Sequence, residues 1–133
     1  MEEISRLRKE VSELEKKRRE VVNRIINIKP YVAGSLLKRE VRCGKAGCRC
    51  EKGELHGPFW YLSQRIEGKT RYTYIPRGRA GVAREKVSEH QRLQELKRKL
   101  RQLGKEEENL LEQIARVQKE SWRKEEAGDD ERV

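Results

Sequence analysis

Apolar residues recur along the first thirty positions in steps of three and four. Ile4, Leu7, Val11, Leu14, Val21, Ile25 and Ile28 form one row, with Arg18 as its polar member. Such steps hold side chains on one face of an α-helix, and a sustained heptad row is the seam of a coiled coil. Nothing interrupts the row before Pro30, which lacks an N–H and disfavours helical geometry in the residue before it. The spacing therefore predicts a helix ending near Ile28. Leu93, Leu96, Leu100, Leu103, Leu110, Ile114 and Val117 repeat the row, with Glu107 as the polar member. This second helix can begin as early as Val82 and fray by Lys124. Gly104 lies inside it and costs about 1 kcal/mol relative to Ala. The last stretch, "EEAGDDERV", is almost devoid of apolar residues and is expected to be disordered.

Each row is about 37 Å long as helix. Folded back on one another, they bring Arg18 opposite the Leu103 layer and Glu107 opposite the Leu14 layer. The two polar members then lie about one turn apart, which predicts an Arg18–Glu107 ion pair that helps select the antiparallel register. An intermolecular coiled coil is the competing arrangement.

Between the helices the period changes. Phe59–Ile66 and Lys69–Ile75 are rich in β-branched and aromatic residues and are joined by Glu67-Gly68, a hairpin signal. A bulged turn with Gly68 at positive φ would shift the register by one. Ser35–Arg42, opened by Gly34, reads as a third strand. The expected fold is α+β: a long antiparallel helical hairpin, acting as a coiled-coil stalk, that carries a small three-stranded antiparallel sheet. The domain layout is an N-terminal helix over 1–29, a basic tip over 30–80, a C-terminal helix over 81–124 and a tail over 125–133.

Composition narrows the function. Of 133 residues, 42% are charged and 34% hydrophobic. A chain so built cannot close a large core and must spend its apolar residues in thin seams. The net charge of +10 is uneven. Residues 34–80 hold eleven basic and four acidic groups, whereas residues 81–133 hold thirteen of each. A local positive excess favours polyanions. A Lys/Glu-rich surface of the thermophile kind explains the balanced end of the chain but not the middle. No apolar run approaches a membrane span, and "MEEISRLRKE" has no signal-peptide core, so the chain reads as cytoplasmic and without a membrane partner.

All three cysteines and one of the two histidines fall within "CGKAGCRCEKGELHGP". In a reducing cytosol, clustered cysteines suggest metal before disulfide, and an odd count leaves one unpaired. Cys43, Cys48, Cys50 and His56 make a Cys3His set suited to tetrahedral Zn2+. The C-x4-C-x-C spacing requires sharp backbone turns, which nearby glycines permit. Lys45, Arg49 and Lys52 would offset the charge of a thiolate-rich centre. A sheet this small benefits from a metal staple. Buried free thiols with a turn histidine are the plain alternative, and Glu54 could replace His56. His90 has no companion ligand and reads as a surface residue.

The stretch "CGKAGCRCEKGELHGPFWYL", with the "EGKTR" turn and "YIP" beyond it, resembles the core of a family of short archaeal and bacterial proteins. These share a CGKxxCxCxxGxxHGPxxYL signature and are catalogued as a domain of unknown function. The resemblance covers about Gly34–Pro76 and the flanking helix. It implies that the Cys/His set acts as a unit and implies no reaction.

Five of the seven aromatic residues, Phe59, Trp60, Tyr61, Tyr72 and Tyr74, sit in the hairpin. With a two-residue loop, Tyr61 faces Tyr74, Ser63 faces Tyr72 and Arg65 faces Thr70. Trp60, Leu62 and Ile75 share the other, inner face. The Tyr/Arg face can stack bases or lie in a groove. Phosphate contacts would come from Lys38, Arg39, Arg42, Lys45, Arg49, Lys52, Arg65, Lys69, Arg71, Arg77 and Arg79, with Tyr61, Tyr72 and Tyr74 beside them. "PRGRAG" reads as a flexible basic arm suited to a minor groove. The plain alternative makes the tyrosines a small core. The expected function is a nucleic-acid-binding zinc protein, DNA favoured over RNA, with leftover helix faces suited to a homodimer. An RNA- or ribosome-associated coiled-coil protein and a coiled-coil adaptor are the alternatives. An enzyme is not expected: the chain has no P-loop, nucleophile elbow or HExxH.

Overall fold

A computed structural model describes residues 2–42, 46–48, 53, 55–120 and 122. The fold is α+β. Helix α1 spans Glu2–Ile26 and α2 spans Ala80–Gln118; between them run strands β1 (Ser35–Val41), β2 (His56–Ile66) and β3 (Lys69–Ile75). The strands form one open antiparallel sheet in the order β1-β2-β3. The chain divides into two compact units, Met1–Asn23 with Arg98–Val133, and Arg24–Lys97.

In the first unit the heptad rows supply the core. Ile4, Leu7, Leu14 and Val21 of α1 are buried, as is Leu103 of α2. Glu10, Glu13, Leu14 and Lys17 share a groove with Glu106, Asn109 and Leu110. The rows thin toward the end of α2, where Ile114 is half-buried and Val117 exposed. Arg18 and Glu107 do line one groove, with Glu15, Arg19 and Val22. They form no ion pair, contrary to the sequence expectation. Glu107 Oε1 is buried without a hydrogen-bond partner, and the one ion pair among the described residues joins Arg92 to Glu89 at 3.0 Å. Arg18 lies exposed, and an exposed guanidinium gains little from leaving water for a single carboxylate. Heptad position sets the level at which two side chains meet, not whether they pair.

In the second unit, α1 stops at Ile26, two residues before the expected end, and the Ile28 N–H closes on the Ile25 carbonyl at 3.2 Å. The following segment is tied to α2 by Val32 N–H donating to the Lys86 carbonyl at 3.2 Å. Leu62 of the sheet and Val87, Leu93 and Leu96 of α2 are buried. No polar or charged residue is buried among those described. The turn between β2 and β3 has φ of 51° at Glu67 and 78° at Gly68. Positive φ at both central residues is the type I′ requirement, whose twist matches that of the flanking strands. The two-residue register follows, with Tyr61 opposite Tyr74, Ser63 opposite Tyr72 and Arg65 opposite Thr70; the bulged turn does not occur.

The expected flexible arm "PRGRAG" is absent. Arg77–Arg79 form a 3-10 turn capped by Pro76, with Arg79 N–H donating to the Pro76 carbonyl at 2.9 Å, and α2 begins at Ala80. Pro76, at φ −57°, is a helix-start residue here rather than a loop marker. The expected disordered tail, residues 125–133, lies outside the described residues.

Gly104 is helical, and a Cβ added there meets nothing within 4 Å. Gly104→Ala therefore stabilises the protein by about 1 kcal/mol through helix propensity. Urea or thermal unfolding reads this directly, and a lower midpoint would mean that the glycine has a packing role.

Candidate functional site

Strand alternation sorts the sheet into two faces. On the inner face Leu62 is buried, and Trp60 and Ile75 are half-buried, as the pattern predicted. Trp60 is flanked by two cations: Lys38 Nζ lies 6.0 Å and Arg84 Cζ 5.6 Å from its ring centroid. Such contacts fix the ring electrostatically while both charges keep access to water. Lys38, one of the expected phosphate contacts, is thus a Trp60 partner. Lys69 and Arg71 occupy this same face, opposite Ile66 and Gln64. Gln64 Nε2 donates to the Ala33 carbonyl at 3.3 Å.

The outer face carries Phe59, Tyr61, Tyr72 and Tyr74. Tyr74 meets Tyr61 edge-on at 5.8 Å and Phe59 at 6.3 Å between ring centroids. Arg39 Cζ lies 5.2 Å from the Tyr72 ring centroid. Tyr72 and Tyr74 remain 54% and 52% exposed, so they are not the small core of the alternative reading. Leu37 and Arg39 share this face, paired to Tyr61 and Phe59, as does Arg65, paired to Thr70. Every residue in these rows is neutral or basic. Arg42 is exposed just past β1, and Arg77 and Arg79 are exposed in the 3-10 turn.

Two of the expected metal ligands, Cys48 and His56, are described, and they approach one another. Cys48 Sγ and His56 Nε2 are 3.0 Å apart. Cys48 is half-buried and makes no disulfide. Cys43 and Cys50 lie outside the described residues, as do Lys45, Arg49, Lys52 and Glu54. No metal-ligand cluster of three is present among the described residues, which include only two of the four expected ligands.

A bulge that the sequence reading missed positions His56. Arg39 pairs with Phe59, but Val41 pairs with His56, so β2 carries one extra residue across Gly57-Pro58. A bulge of this kind re-aims the side chains beyond it. It sets His56 in the same row as Phe59, opposite the row of Arg39 and Val41. Gly57 has φ 120°, and a Cβ there would lie 2.8 Å from the Arg39 carbonyl oxygen. The peptide bond to Pro58 is cis. The His-Gly-Pro triplet of the signature is therefore the bulge itself, and it is why β2 begins three residues before its expected start. Its sequence signal was a Gly-Pro pair inside an otherwise regular strand pattern.

His90 is not a plain surface residue. It is half-buried, stacks on Tyr31 at 5.3 Å with an interplanar angle of 21°, and lies 3.1 Å from Gln94 Nε2. Arg84 was also missed, because only the packed structure brings it to Trp60.

The profile of the family described as Domain of unknown function (DUF6788) matches residues 11–84, more than half the chain. The protein belongs to that family. The match covers most of α1, the whole sheet and the start of α2. No curated protein and no solved structure matched the chain. No helix among the described residues is long and apolar enough to cross a membrane.

Gly57→Ala forces a side chain into both a left-handed backbone position and the Arg39 carbonyl. A loss of about 1–3 kcal/mol is expected in chemical unfolding. A neutral result would mean that the bulge relaxes without cost.

Proposed function

We propose that this protein binds nucleic acid through the outer face of its sheet, with DNA favoured over RNA. One observation supports this above the others. Four aromatic rings share a face with Arg39 and Arg65, and no carboxylate stands in their rows. Arg42, Arg77 and Arg79 extend the positive field for phosphate contacts. Lys45, Arg49 and Lys52 belong to the same basic segment by sequence. An open sheet with exposed rings also suits RNA, which is the second reading.

The Cys/His corner is read as a structural zinc site. The 3.0 Å approach of Cys48 Sγ to His56 Nε2 supports it, as does the chemistry of the donor set. Cys43, Cys48, Cys50 and His56 would hold the ion, which would supply a cross-link between the segment after β1 and the start of β2. The role is stabilising rather than catalytic. The two helices are read as an antiparallel coiled-coil stalk, with leftover faces available to a homodimer, in a cytoplasmic protein.

Two measurements test these readings. Binding to labelled duplex DNA, single-stranded DNA and structured RNA is followed across a salt series. The affinity should fall steeply with salt, and Arg65→Ala should reduce the slope of log K against log salt by about 1. Weak binding to all three polymers, or an unchanged slope, would contradict the interface. Elemental analysis of purified protein should find one zinc per chain, and chelation should lower the melting temperature. A metal-free protein whose melting ignores chelator would reduce the corner to a thiol–imidazole contact.

A further inference from the structure

We infer that the outer face takes single-stranded nucleic acid, holding unstacked bases on the rings of Tyr72 and Tyr74, rather than entering a duplex groove. The inference rests on the nucleic-acid reading above and narrows it. Its basis is spacing. Tyr72 and Tyr74 are two residues apart on one face of β3, so their positions are separated by roughly 7 Å. Successive bases in one strand of a duplex are roughly 3.4 Å apart. Two neighbouring bases can each lie on their own ring only if the strand is splayed open. Single strands pay no unpairing cost to do so.

Accessibility and rigidity agree. Both tyrosines keep about half their surface exposed, whereas Phe59 and Tyr61 beside them on β2 are more buried. Edge-on contacts from Tyr61 at 5.8 Å and Phe59 at 6.3 Å brace Tyr74. Arg39 lies 5.2 Å over Tyr72, and its guanidinium plane offers a further stacking surface beside a phosphate contact. A groove reader of adenine would present Gln or Asn to its edge. Here the one glutamine of the hairpin, Gln64, is on the inner face and bonded to Ala33. The charge suits a polyanion, because the strand rows that form the face carry Arg39 and Arg65 and no acid.

The test uses the full chain and fluorescence anisotropy with labelled oligo-dT, labelled oligo-U and a duplex of equal length. Single strands should bind at least about 10-fold tighter than the duplex. Tyr72→Ala and Tyr74→Ala should each weaken single-strand binding by roughly 5- to 150-fold, and weaken duplex binding by less. Tyr72→Phe and Tyr74→Phe keep the rings and should keep the affinity, which separates stacking from the hydroxyls. Equal binding of duplex and single strand, or alanine variants of unchanged affinity, would overturn base stacking while leaving a salt-dependent nucleic-acid protein. Absence of binding to every polymer would overturn both.

Discussion

Strand β2 hydrogen-bonds on both sides, and its register decides what the sheet hides and what it shows. Side chains alternate along it, so placing Leu62 and Trp60 against one side commits Phe59 and Tyr61 to the other. A slip of one residue would bury the tyrosines and expose the tryptophan. Two devices hold the register. The Glu67-Gly68 turn fixes β3 against β2 at one end, and the Gly57-Pro58 bulge adjusts β1 against β2 at the other. The burial of Leu62, the cation-flanked Trp60 and the exposed Tyr72 and Tyr74 all follow from that pairing.

Charge content explains why so much depends on so few residues. With 42% of its residues charged, the protein buries single rows of apolar side chains rather than a broad core. Leu62 is the one strand residue that is buried, at 8% exposure. A sheet held by so little apolar contact benefits from additional constraints at its edges. The cation–ring contacts at Trp60 supply one, and the Cys48–His56 approach lies where another would act. The same scarcity leaves two of the four outer-face rings, Tyr72 and Tyr74, about half exposed.

The hairpin was legible because the Glu-Gly turn and the alternation of aromatics both point to it, although its register was left open between a two-residue and a bulged turn. The helices were legible from the heptad rows and Pro30, to within two residues at the end of α1. Other features resisted for physical reasons. The Gly57-Pro58 bulge breaks the period of two locally, so the strand seemed to start at Phe59. Pro76 can open a helix as readily as it can mark a loop, and the arginines after it gave no sign of which. Arg18 and Glu107 meet at the expected level, but long charged side chains near water need not join. Lys38 was assigned to phosphate by charge alone, whereas alternation places it over Trp60. Of the expected ligands, Cys48 and His56 lie 3.0 Å apart, and the bulge that sets the row of His56 was readable only in the backbone.

The claim on which the functional reading turns is that the outer sheet face, not the helices or the 3-10 turn, is the contact surface. Amide and aromatic NMR shifts of the isotope-labelled full chain, followed while a short single-stranded oligonucleotide is added, test it most directly. The proposed interface predicts progressive shifts concentrated at Arg39, Phe59, Tyr61, Tyr72 and Tyr74, with Leu62, Val87 and Leu93 little changed. Shifts confined to α1 and α2, or to Arg77 and Arg79 while the tyrosine signals stay fixed, would contradict it.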